Sequence, residues 1–211
     1  MVPASSTATR LPDAKEIVPH KLAHVVLKTN KFEPMVEWYL KILNARIALK
    51  LPHVAFLTFD DEHHRLAISN IPQLAARQPD VCGMDHVAFT YSSLGDLLAT
   101  YRRLASQGIK PRWPFNHGNT ISLYYEDPDG NRVELQHDIY ETAEELERYL
   151  TTDPDYAGNP LGAPFDPEQM VERFERGVPI SELVKMPQYP AGVGPMDLLQ
   201  EMGFIIKGQQ A

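Results

Sequence analysis

Cysteine, long apolar runs and positive charge are what this sequence has least of. One cysteine, Cys82, in 211 residues excludes an intramolecular disulfide. Such usage fits a reducing cytoplasm, and Cys82 is expected to be structural. No stretch of about 18 apolar residues occurs, which excludes a membrane-spanning helix. Residues 1–19 contain no apolar core of the kind a signal peptide needs, and they are expected to form an N-terminal arm. Formal charges sum to −8, a balance that argues against non-specific binding to nucleic acid or anionic membranes. What is present, 43% hydrophobic and 23% charged residues, is the composition of an ordinary soluble globular protein facing small molecules. The length suits one compact domain or two small fused modules, and leaves room for a homo-oligomer.

An internal repeat organises the chain. His24-Val-Val-Leu-Lys-Thr aligns with His86-Val-Ala-Phe-Thr-Tyr at an offset of 86 − 24 = 62. The same offset pairs Tyr39 with Tyr101 and Ile47 with Ile109 without a gap. Each copy opens on a short β-type run and continues as an amphipathic helix. In the first, Asn30 is expected to cap, with Glu33 three residues on and Pro34 in the first turn. Met35, Trp38, Tyr39, Ile42 and Leu43 then follow helical spacing. In the second, Ser93 caps, Leu94, Leu97, Leu98, Tyr101 and Leu104 form the stripe, and Gly108 stops it.

Three strand-like runs follow each helix: 46–50, 53–59 and 64–69 in the first copy, and 110–114, 119–125 and 132–137 in the second. Asp127-Pro128-Asp129-Gly130 is a turn between the last two. Each copy thus reads β-α-β-β-β, over residues 20–69 and 84–140, with 70–83 as linker. Beyond residue 140 the pattern changes. Eight of the 18 prolines lie after residue 150, Thr142-x-x-Glu145 is a capping box, and Asp166-Pro167 opens a helix that Gly177 can close. Residues 141–211 are read as a helical extension packed on the main body at 20–140. Their pattern does not say whether they cover a site mouth, form an interface or cap a sheet.

Eight histidines are present, and any one alone is more often a surface or core residue than a ligand. His24 and His86 stand apart because they occupy the same place in both copies. A pseudo-twofold arrangement would bring the two first strands together and turn both imidazoles toward one cavity. In Arg132-Val133-Glu134-Leu135-Gln136, alternation places Val133 and Leu135 on one face and Glu134 on the other. Taken alone, Glu134 reads equally well as a solvent-facing strand residue. Two histidines and one carboxylate form a facial set that leaves positions open for substrate and O2 on non-haem Fe(II). The last strand of the first copy, His64-Arg65-Leu66-Ala67-Ile68-Ser69, supplies no carboxylate, which disfavours a site with four protein ligands.

With two such modules and these residues, the chain resembles the vicinal oxygen chelate superfamily, and within it the type I extradiol ring-cleaving dioxygenases. The resemblance covers about residues 20–140, two modules where those relatives commonly have four. It implies an α+β fold whose modules form a cupped mixed sheet around a metal site. It also implies Fe(II), with Mn(II) as an alternative, held by His24, His86 and Glu134. A Tyr ten residues before the ligand Glu falls on Tyr124, followed by the Pro-x-Gly turn. A family His before it falls on His117, with a shorter spacing. Another, opening the last strand of the first module, falls on His64, with His63 as the competitor. The resemblance implies that a catechol-like diol and O2 are the reactants. His64 would act as acid–base, and His117 and Tyr124 would hydrogen-bond substrate oxygens. Two other readings stay open: a non-redox epimerase or lyase of the same fold using Co(II), Mn(II) or Zn(II), and a protein that only binds a small molecule. His20, His53 and His137 are read as surface or packing residues.

Overall fold

A computed structural model describes residues 15, 17–78, 82–187, 189 and 192–203. Most of the expected N-terminal arm lies outside the described residues. The first module runs β1 (Val25–Thr29), α1 (Phe32–Ile42), β2 (Arg46–Leu51), β3 (Val54–Thr58) and β4 (Leu66–Asn70). The second runs β5 (His86–Thr90), α2 (Leu94–Ser106), β6 (Trp113–Asn116), β7 (Thr120–Glu126) and β8 (Arg132–Asp138). The α+β class and the β-α-β-β-β order are both present. Each module builds its own mixed sheet, ordered β1-β4-β3-β2 and β5-β8-β7-β6. In each, the last strand lies parallel to the first and antiparallel to the third.

The helices form where the periodicity places them, and the offset of 62 carries Phe32 onto Leu94, the first residues of α1 and α2. Their apolar stripes meet in one core that spans both modules, with Met35, Tyr39, Ile42, Leu94, Leu97 and Leu104 all buried. Each such side chain contributes roughly 1.5–3 kcal/mol relative to exposure. Polar contacts also join the modules. The Tyr39 hydroxyl donates to Asp127 at 3.0 Å, and Arg103 donates to the Lys41 carbonyl at 2.7 Å. Asp127 also accepts from the backbone N–H groups of Asp129 and Asn131, which shapes the turn ending at Gly130 (φ 81°).

Three local expectations are corrected. Asn30 does not cap α1; the N-cap is Lys31 without a side-chain bond, and the Asn30 amide instead donates to the Leu74 carbonyl. The run at 110–114 starts late, at Trp113, because Pro111 has no N–H to give and pairing begins with Arg112 N–H donating to the Tyr124 carbonyl. The repeat therefore fails beyond the helices: Ile47 lies in β2, whereas Ile109 precedes β6. Cys82 is a free, exposed cysteine.

The segment after residue 140 supplies α3 (Ala143–Thr152), α4 (Pro154–Gly158), β9 (Ala163–Pro164), α5 (Pro167–Glu175), α6 (Ile180–Leu183) and α7 (Pro195–Glu201). The capping box at Thr142 and the Asp166 cap are formed. Strand β9 extends the second sheet at β6. Leu198 and Met202 pack on Trp113, Phe115 and Tyr124, on the face of that sheet opposite the main core. The first sheet carries no such cover among the described residues, and Val26, Ile47, Leu49 and Leu51 are 39–53% exposed. No helix among the described residues is long and apolar enough to cross a membrane.

Candidate metal centre

The register of the second sheet builds one half of the centre. Ala88 pairs with Glu134, Glu134 with Tyr124, and Tyr124 with Trp113, so these side chains form one row across the sheet. The neighbouring row, Val87, Val133 and Tyr125, faces the core. His86 is two residues before Ala88 and shares its face. Glu134 is only 4% exposed. The face opposite Val133 and Leu135 is covered, so the solvent-facing reading of this carboxylate is overturned.

A buried carboxylate needs partners, and several converge here. His86 Nε2 is 3.1 Å from Glu134 Oε2, and the Ser122 and Tyr124 hydroxyls also bond to the carboxylate. Burial works to raise the Glu134 pKa, yet these bonds outweigh it and leave it below the ordinary value. The bond to Glu134 raises His86 to about 9, against desolvation and with help from Asp85. His86 Nδ1–H donates to Asp85 at 2.7 Å, and Asp85 in turn accepts from Arg132 at 2.9 Å. The Arg132 guanidinium lies over the Trp113 ring at 4.6 Å.

This is the arrangement a metal-ligating imidazole requires, with Nδ1–H fixed by a carboxylate and Nε2 directed at the centre. His86 and Glu134 therefore fit a divalent cation. Sequence reasoning missed Asp85, Arg132 and Ser122. The signal for the first two was their adjacency to His86 and Glu134 in Asp85-His86 and Arg132-Val133-Glu134. If Asp85 orients His86 toward a metal, Asp85→Asn is expected to weaken metal affinity about 10–100-fold. Titration of the metal-free protein would measure this, and an unchanged affinity would remove Asp85 from the site.

His117 and Tyr124 complete this cluster. His117 Nδ1–H donates to the Leu161 carbonyl at 2.6 Å, and since a carbonyl only accepts, Nε2 is the bare nitrogen. The Tyr124 hydroxyl stands 3.0 Å from that Nε2. Burial lowers His117 and raises Tyr124, so at neutral pH the imidazole is neutral and the phenol protonated. The single phenolic proton thus has two acceptors within reach, His117 and Glu134. The loop carrying His117 is held by close backbone packing. Gly162 has φ +96°, and a Cβ there would lie 2.3 Å from the Asn116 carbonyl oxygen and 2.7 Å from His117 Cα. Gly162→Ala is expected to cost more than about 2 kcal/mol, through left-handed strain plus overpacking. Denaturant unfolding with activity measured alongside would register both the loss of stability and the displaced His117.

The other half is elsewhere. His24 is exposed at the open edge of the first sheet, its ring 4.4 Å from that of His64 and tilted 32° to it. His64 also stacks on Phe56 at 4.6 Å. Burial and the neighbouring imidazoles hold His64 below the usual histidine pKa. His63 contacts His64 but is the more exposed and lies 3.7 Å from Glu62. Of the pair, His64 is the one placed against His24. Among the described residues, no three His, Cys, Asp or Glu side chains come together at metal-ligating range. His24 is therefore not brought to His86 and Glu134, and β1 and β5 lie in different sheets. Register explains the missing carboxylate of the first module: Val26 pairs with Ala67 and Ala67 with Phe56, as Ala88 pairs with Glu134 and Glu134 with Tyr124. Ala67 stands where Glu134 stands, and Phe56 where Tyr124 stands. His20 and His53 are exposed, and half-buried His137 is 3.2 Å from the Tyr91 carbonyl.

Residues 21–135 match the family model of the Glyoxalase/Bleomycin resistance protein/Dioxygenase superfamily. Biphenyl-2,3-diol 1,2-dioxygenase 2 of Rhodococcus globerulus is 46% identical over 164 residues, 77% of this chain and 86% of that protein. Biphenyl-2,3-diol 1,2-dioxygenase 3 of the same organism is 45% identical over 165 residues, with the same coverage. A crystal structure of lactoylglutathione lyase from Agrobacterium tumefaciens shares 18% identity and covers 56% of this chain and 94% of its own, with a TM-score of 0.46.

Proposed function

The chain belongs to the Glyoxalase/Bleomycin resistance protein/Dioxygenase superfamily, and from that premise we propose that it is an Fe(II)-dependent extradiol dioxygenase opening a catechol-type ring with O2. The observation that carries this reading is the row Glu134–Tyr124 beside His86, with His117 behind Tyr124. The high identity to two biphenyl-2,3-diol dioxygenases supports the diol substrate.

His86 and Glu134 would hold the metal, while His24, the expected third ligand, lies apart from them beside His64. When bound there, Fe(II) supplies the electron transfer that lets O2 attack the diol ring. Tyr124, kept protonated by burial, donates its O–H to a substrate oxygen. His117, neutral and anchored through Nδ1–H, offers Nε2 to take a proton from the diol or from Tyr124. His64, expected as the acid–base group, is held below the usual histidine pKa and lies with His24, apart from His86 and Glu134. Trp113, buried beside Tyr124, gives an apolar wall suited to an aromatic ring. Both oxygen atoms of O2 end in a yellow ring-opened semialdehyde or its aryl-ketone analogue.

The test is oxygen uptake with a visible spectrum, on protein prepared anaerobically with Fe(II) and given catechol and 2,3-dihydroxybiphenyl. Consumption of O2 matched to a yellow product is expected. Stoichiometric iron with no uptake across a broad diol panel would end the dioxygenase reading.

A further inference from the structure

In β5 and β8, His86 pairs with Arg132 as Ala88 pairs with Glu134, so Arg132 stands next to the Glu134 row and on the same face. Its side chain is only 14% exposed, and a guanidinium so placed needs partners for its N–H groups. Nη1 donates to both Asp85 carboxylate oxygens, at 3.1 and 2.9 Å. Nη2 donates to the Met202 carbonyl at 2.6 Å, and the group lies over the Trp113 ring at 4.6 Å. Asp85 is itself 44% exposed, and an ion pair at such a surface holds little on its own. Asp85 is fixed against His86 because its partner is fixed, by Trp113 on one side and α7 on the other. The dependence also runs outward. Helix α7 has 7 residues, too few to persist without tertiary contacts. Leu198 and Met202 dock it on Trp113, Phe115 and Tyr124. Met202 is its C-cap, and carbonyls at a helix end have no partner within the helix. Arg132 takes this one.

We propose that Arg132 is a positioning residue that couples α7 to the metal centre. One arm of its fork holds Asp85 against His86 Nδ1–H, and the other clasps α7 over Tyr124. A planar guanidinium cannot turn one arm without moving the other, so release of α7 and loss of the Asp85 contact go together. Such coupling is reciprocal: a metal bound through His86 steadies α7 by the same factor as docked α7 strengthens metal binding. The segment after residue 140 is then a working part of the centre, more than a cover for one sheet. The inference rests on His86 as a ligand, as proposed above, and the experiment separates the two.

Co(II) is titrated into metal-free wild type, Arg132→Met and Arg132→Lys, and amide hydrogen exchange across α7 is followed with and without the metal. Arg132→Met is expected to lower Co(II) affinity about 10-fold, the lower end of the range for Asp85→Asn. It should also speed exchange across α7 about tenfold, as loss of a hydrogen bond to a charged group does. Arg132→Lys keeps a cation for Asp85 but has no fork to hold both partners. It should recover part of the affinity and leave α7 exchanging fast. In wild type, Co(II) should slow α7 exchange at least about fivefold, and in Arg132→Lys it should not. That comparison needs no variant to fold: α7 exchange in wild type that ignores Co(II) would overturn the coupling. So would an Arg132→Met chain, folded by circular dichroism, that loosens α7 at unchanged affinity or loses affinity at unchanged exchange. Either result leaves His86 standing as a ligand. His86→Ala with undiminished Co(II) affinity would instead overturn the ligand set, and this inference with it.

Discussion

Glu134→Ala is expected to reduce metal binding and ring-cleaving turnover to background, a loss of more than about 1,000-fold in kcat or ~4 kcal/mol of barrier. Glu134 is the only carboxylate in its row, and Ala67 occupies the matching place in the first module, so no second carboxylate stands ready to substitute. The change also removes the partner that raises His86 to about 9. An NMR titration of metal-free protein should show His86 falling toward the ordinary value of about 6.5. The two readouts are independent. Lost metal with an unmoved His86 would mean that Glu134 acts on the metal without the contact seen here. Retained metal would remove it from the ligand set.

The same pair gives a pH dependence. In metal-free protein the folded pKa of His86 lies above its unfolded value, so its stabilising contribution is complete below about 6.5 and is lost as pH rises through about 9. A metal ion needs the Nε2 lone pair and displaces that proton. Metal affinity is therefore expected to rise with pH, about tenfold per unit well below the raised pKa, and to level off above it. Calorimetric titration in buffers of different ionisation enthalpy would count the proton released. A flat profile from pH 6 to 9 would contradict the raised pKa.

Tyr124→Phe is expected to leave metal affinity close to wild type while lowering kcat about 100-fold, the scale of losing one hydrogen-bond donor or proton-transfer group in a buried site. The phenol ring is buried against Trp113 and Phe115, and phenylalanine keeps that packing, so stability should change little. What is lost is the one proton that both His117 and Glu134 can accept. The split separates roles. A fall in metal content as large as the fall in kcat would make Tyr124 a support for Glu134. Unchanged kcat would remove it from the chemistry. His117→Gln should resemble Tyr124→Phe more than Glu134→Ala, since His117 reaches the centre through Tyr124 and its own Nε2.

How far the fold was legible can be argued residue by residue. The offset of 62 was readable because α1 and α2 start in the same register from their first strands, and because Tyr39 and Tyr101 face one core. It lost meaning after the helices because the second copy carries a longer path into its strands. Glu134 corresponds in register to Ala67, 134 − 67 = 67 residues away, five more than the offset. Ser93 was readable as a cap because a hydroxyl bonds the N–H three residues on wherever the backbone turns into a helix. Asn30 was not, since its amide found a carbonyl 44 residues away. A local rule cannot see such a competitor.

The candidate centre divides in the same way. Alternation along β8 is a two-residue property, and the sequence by itself determined that Glu134 points away from Val133 and Leu135. It equally determined that the first module has a histidine but no carboxylate to match. Only the tertiary structure decided that the face bearing Glu134 is buried, because its cover comes from Leu198 and Met202, more than 60 residues further along the chain. Only packing decided that His24 lies with His64 and Phe56 rather than with His86. The repeat specifies two equivalent strands, but not whether they meet within one chain. That choice lies in the packing: the buried side chains of α1 and α2 join one core that spans both modules, and β1 and β5 stand as edges of separate sheets.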